Sequence, residues 1–139
     1  MERNTDQGWN GKHGGWVGSQ LGATAWLFLA GMLATNEGSM SSGLTVCGLF
    51  LIVNGIGLVF WACRGRLRYS TALTLLLLVS GTASTVAIYV LNAAGAWEAI
   101  QMEPWVFSAG TSYLFVVAVH LVAAVVFHRV FRRETSASM

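Results

Sequence analysis

Two long stretches without a charged side chain constrain this sequence more than any motif in it. No Asp, Glu, Lys or Arg occurs from residue 38 to 63, or again from residue 69 to 97. Between them stands the densest charge cluster of the chain, Arg-Gly-Arg-Leu-Arg at 64–68. Water-soluble domains carry about 25% charged residues, and this chain carries 10%. About 20 apolar residues in a helix cross the hydrocarbon core of a bilayer. Each run is long enough, so the arginine cluster reads as a tight turn at a membrane face joining two spanning helices.

The same reasoning extends to the ends. Residues 1–15 are polar and glycine-rich and read as a flexible N-terminal segment, with Trp9 and Trp16 placed to dip into the interface. Spans are expected at about 16–35, 43–63, 70–91 and 105–127. Ser19, Gln20 and Thr24 dilute the first. It does not read as a cleaved leader, because Glu2, Arg3 and Asp6 mix signs before it and three more spans follow. Loop 36–42 carries Glu37, with Gly38 and Gly43 to turn the chain. Loop 92–103 is the longest and suits a short interfacial helix with Trp97, Ile100 and Met102 toward lipid. Pro104 suits the first turn of the fourth span. The basic tail, 129–139, is expected to fray.

Four crossings put both termini on one side. Arg3, Lys12, Arg64, Arg66, Arg68, Arg129, Arg132 and Arg133 then all fall on one face, and Glu37, Glu98 and Glu103 fall on the other without a cation. Short loops rich in Lys and Arg stay in the cytoplasm. The expected fold is therefore an all-α integral membrane protein, a four-transmembrane-helix bundle with cytoplasmic termini.

Helices in lipid associate through close backbone approach and interhelical hydrogen bonds. Small residues at four-residue spacing mark the candidate faces: Gly18 with Gly22, Ser80 with Ser84, and Gly81 with Thr85. Gly55 and Gly57 add a site in the second span. Such faces serve packing within the chain or association with another copy or another membrane protein.

Few groups offer chemistry. Asn54 in the second span and His120 in the fourth are placed at similar depth and expected to face inward, where they can hydrogen-bond. Tyr113 shares the His120 face, and Ser80, Thr82 and Ser84 add hydroxyls. These residues form either a polar ligand pocket or path, or a buried clasp that fixes helix rotation. His120 and His128 lie about 12 Å apart along one helix, so one chain cannot bind both axial positions of a haem iron. Three histidines and no ligand motif argue against zinc. Cys47 and Cys63 lie about 24 Å apart on a single helix, beyond disulfide reach.

No carboxylate falls inside a span, which argues against proton-coupled antiport, and the strong charge bias argues against a dual-topology exporter. No GxSxG, HExxH or P-loop is present, and no basic, aromatic-interleaved stretch suits nucleic acid. No cofactor is expected. Arg64, Arg66, Arg68, Arg129, Arg132 and Arg133 set topology or meet anionic lipid headgroups. The leading expectation is a non-enzymatic scaffold or accessory subunit in the bilayer. Behind it stand a small transporter or channel lined by Asn54, His120 and the third-span hydroxyls, and a haem or other redox subunit.

Overall fold

The computed structural model describes residues 15–64, 66–67, 69–100 and 108–136. The side chains of residues 15, 19, 99, 100, 124 and 127–136 are outside that description. The expectations placed on Trp9, Arg68, Ile100, Met102, Pro104, His128, Arg129, Arg132 and Arg133 therefore lie outside the described residues or side chains.

The described residues form five helices: α1 Gly15–Asn36, α2 Met40–Ala62, α3 Tyr69–Ala93, α4 Ala96–Ile100 and α5 Ala109–Ser136. No strand occurs among the described residues. Three segments, Trp16–Asn36, Met40–Ala62 and Tyr69–Ala93, run 21, 23 and 25 residues and are apolar enough to cross a membrane. At about 1.5 Å of rise per residue each exceeds the roughly 30 Å hydrocarbon core. The described apolar part of α5, Ala109–Ala123, is shorter. The helix continues past the expected end of its span, through the basic stretch to Ser136.

The α1–α2 reversal is built on glycine. Gly38 takes φ 85°, a conformation that disfavours a Cβ. Ser39 N–H donates to Ala34 O at 2.9 Å and Gly38 N–H to Thr35 O at 3.2 Å, the paired bonds of a Schellman stop. Gly95, with φ 68°, also takes the left-handed conformation at the end of α3, and its N–H reaches Asn92 O at 3.1 Å. In the arginine turn, Arg66 N–H and Leu67 N–H both donate to Cys63 O, at 2.9 and 3.0 Å. Arg64 lies 4.3 Å from the Trp61 ring centroid, a cation–π contact, and both Arg64 and Arg66 are exposed.

The packing order is α1 on α2, α2 on α3, and α5 on α3, with α4 touching α1 and α3. The core is made mainly of small or medium side chains, including Ala30, Ala34, Val46, Val53, Ala72, Ala83 and Ala87, with Leu27, Ile88 and Leu91 fully enclosed. Large apolar side chains point outward instead: Leu29, Leu51, Ile52, Leu58, Leu78, Leu114 and Val122 are all more than half exposed. A soluble protein does not tolerate apolar surface on this scale. Lipid does, and small residues inside let backbones approach. The chain is a membrane protein on this distribution.

The tightest backbone crossing joins α1 to α2. A Cβ at Gly31 would lie 2.8 Å from Gly43 O, and one at Gly43 would lie 2.5 Å from Gly31 O and overlap the Thr35 hydroxyl. Gly18 and Gly22 have nothing within 4 Å of that position, so the expected small-residue pair does not make this crossing. Gly22 and Gly31 are nine residues apart, half a revolution out of phase at about 100° per residue. Of the second-span pair, Gly57 is buried against the Gln20 amide while Gly55 faces open space.

Candidate functional site

Two polar clusters lie within the helical array, and each ties one helix to its neighbour. The first joins α1 to α2. Trp16, Gln20 and Thr24 recur every four residues and share one face of α1. They are 3%, 4% and 2% exposed. Trp16 Nε1–H donates to Gly57 O at 2.8 Å. Gln20 Nε2–H donates to Asn54 O at 2.9 Å, to Asn54 Oδ1 at 3.2 Å and to Val53 O at 3.3 Å. Asn54 Nδ2–H returns bonds to Thr24 Oγ1 at 2.9 Å and Phe50 O at 2.8 Å. Thr24 Oγ1–H then donates to Gln20 O at 2.9 Å. Trp16 also meets Tyr69 edge-on, with ring centroids 5.8 Å apart. One acceptor, Gln20 Oε1, is buried without a partner.

Three expectations change here. Asn54 bonds to α1 and not to His120, because α5 seats on α3 and not beside α2. Similar depth does not make them neighbours. Trp16 is a buried donor whose ring turns into the helix array and not outward. Trp97 is 9% exposed and belongs to the core cluster instead of facing lipid. Its Nε1 is buried without a partner.

The second cluster joins α3 to α5. His120 Nδ1 lies 2.8 Å from Val116 O. A carbonyl oxygen only accepts, so Nδ1 carries a proton. With a single ring proton, Nε2 is an acceptor, and Ser80 Oγ stands 3.2 Å from it. Ser80 Oγ has an alternative acceptor in Leu77 O, also at 3.2 Å. Gly81 makes room for the imidazole, since a Cβ there would lie 3.0 Å from His120 Cδ2. Ser80 stands near the middle of α3, about 17 Å of helix from Tyr69 and about 20 Å from Ala93. Ser84 is buried one turn further along, and Tyr113 is half-buried against the core, two turns before His120.

Beside this contact α3 and α5 leave a groove of about 310 Å³, walled by Leu77, Gly81, Thr82, Thr85, Val116 and His120 among others. Apart from the two threonines and the histidine its lining is aliphatic or glycine. Thr82 and Thr85 donate to Leu78 O and Gly81 O, both at 2.9 Å.

The expected polar set thus divides: Ser80 and His120 meet, while Asn54 pairs with Gln20 and Thr24. The last two were legible only as dilution of an apolar span, although their spacing with Trp16 marks a single helix face. Cys47 and Cys63 are free thiols. Among the described residues, no three His, Cys, Asp or Glu side chains are grouped to hold a metal ion. No protein-family model, curated protein or solved structure matches this chain.

Proposed function

We propose that this protein is a non-enzymatic membrane scaffold or accessory subunit. It crosses the bilayer four times, holds both termini in the cytoplasm, and associates laterally with itself or with another membrane protein. The carrying observation is where the intramembrane polar groups spend their hydrogen bonds. Gln20, Thr24 and Asn54 bind one another or nearby backbone, and Ser80 and His120 do likewise, in two separate interhelical clasps. A conducting path needs polar groups in line, and these are apart. The outward faces are apolar, and Gly18, Gly22, Gly48 and Gly55 have open space over them, which favours close approach by another helix. α5 supplies the fourth crossing together with the apolar residues flanking Ala109–Ala123, and the one-sided Arg and Lys distribution sets the orientation.

Native mass spectrometry of gently extracted protein tests the association. A homo-oligomer or a complex with a second membrane protein is expected, and a monomer without partners overturns the reading. Topology is tested separately with tags on residues 1 and 139 in sealed vesicles. Both should be protected or both digested, and opposite behaviour eliminates the four-span arrangement.

A transporter is the second reading, favoured by the histidine-walled groove. His120→Ala separates the two. A scaffold keeps its assembly with a modest stability loss of about 1 kcal/mol, the usual scale of one intramembrane hydrogen bond. A transporter keeps its fold and loses solute flux in liposomes.

A further inference from the structure

We propose that the groove between α3 and α5 binds a neutral lipophilic molecule bearing a hydroxyl donor, of the alkylphenol or long-chain alcohol class. The side-chain protons along the groove wall are already in use. Thr82 and Thr85 each have one hydroxyl proton, and both protons are committed to carbonyls of their own helix. What remains on each oxygen is acceptor capacity. The His120 ring proton is committed to Val116 O, which leaves Nε2 as an acceptor. Ser80 holds that nitrogen, yet its proton has Leu77 O as an alternative at the same 3.2 Å. Ser80 can therefore release Nε2 to an incoming donor and keep a bond of its own. Every polar atom offered by the wall accepts and none donates.

Such a wall gives no hydrogen bond to an apolar ligand whose only polar atoms are acceptors, and it favours an O–H. A cationic donor is disfavoured because no carboxylate lines the groove, and an uncompensated charge at this depth is costly. The position near the middle of α3 means that the ligand arrives from the bilayer. A single copy of the chain forms the whole site, which does not depend on lateral association.

The test uses full-length protein in liposomes with two photoreactive probes of equal chain length, a diazirine-bearing 4-alkylphenol and its methyl ether. Labelling is mapped by peptide mass spectrometry. The phenol should label segments 77–86 and 116–121 about fivefold more than the ether, the factor that one net hydrogen bond supplies. Thr85→Val and His120→Phe should each reduce that preference. Val117→Trp, placed on the half-exposed groove wall and outside the clasp, should abolish labelling by both probes. Equal labelling by phenol and ether overturns the proposal. So does a preference that survives both acceptor substitutions, or labelling that persists in Val117→Trp. If His120→Phe does not fold, the Thr85 and Val117 variants decide the matter.

Discussion

Replacing Gly43 with leucine should separate α1 from α2 and cost about 3 kcal/mol, the upper part of the range for overpacking a close-packed contact. A Cβ at this position would already lie 2.5 Å from Gly31 O and overlap the Thr35 hydroxyl. Both obstacles belong to α1, and a backbone oxygen cannot rotate aside as a side chain does. The remaining leucine atoms would enlarge the conflict, so the helices must move apart along this crossing. That also loosens Cys47 against Gly31, where a Cβ would stand only 2.6 Å from the sulfur. Gly22→Leu is the matched control: it adds the same atoms to α1 where nothing in the chain lies within 4 Å, so it should leave the unfolding of the single chain unchanged and act only on lateral association. Unfolding in mixed micelles, followed by tryptophan fluorescence, distinguishes them. Equal stability of the two variants would show that the Gly31–Gly43 approach is not what fastens the pair.

Asn54→Leu should be the next most damaging change, at about 1–2 kcal/mol. Asn54 is both donor and acceptor in the α1–α2 clasp: its amide nitrogen donates to Thr24, and its side-chain and backbone oxygens accept from Gln20. Leucine keeps the bulk and the backbone acceptor but removes the reciprocal side-chain bonds. Intramembrane hydrogen bonds are worth about 0.6 kcal/mol on average and up to roughly 1.7, and an orphaned buried partner adds its own desolvation cost. A double-mutant cycle makes this specific. Gln20→Leu with Asn54→Leu should cost less than the sum of the single changes, because neither variant then strands the other's amide. Strict additivity would mean that the two residues act independently and that the clasp is incidental.

The helical elements were largely legible in the sequence, and their neighbours were not. Uncharged runs place α2 and α3 because bilayer thickness dictates a length and charge is what such a length must lack. Gly38 marks the first reversal because a left-handed turn favours a residue without a Cβ. Spacing identifies a face, however, and leaves open whether that face turns inward. Gly18 and Gly22 carry the small-residue spacing, yet the polar face of Trp16, Gln20 and Thr24 claims the inner side of α1 and leaves the close crossing to Gly31. Depth along a helix was equally insufficient. Similar depth in their spans allows Asn54 and His120 to hydrogen-bond, but a bond also needs adjacent helices, and α5 lies against α3. The Ser80–His120 contact is the part of the site that helix order preserves, since the hydroxyl was already placed on α3. Gln20 and Thr24 were visible as polar interruptions, and nothing in a single sequence says which helix would answer them.

The seating of α5 on α3 bears on how the chain is made. Trp16, Leu27, Val53, Ala87, Leu91 and Trp97 belong to a core drawn largely from α1 to α4, all of which leave the ribosome before α5. The first three long helices can therefore settle against each other during synthesis, as N-terminal units generally do. The last helix then joins an existing surface, guided by Ser80 and the gap at Gly81. A nascent chain stalled just after α4 should already resist protease along α1 and α2, because the bonds that lock those two helices use no later residue.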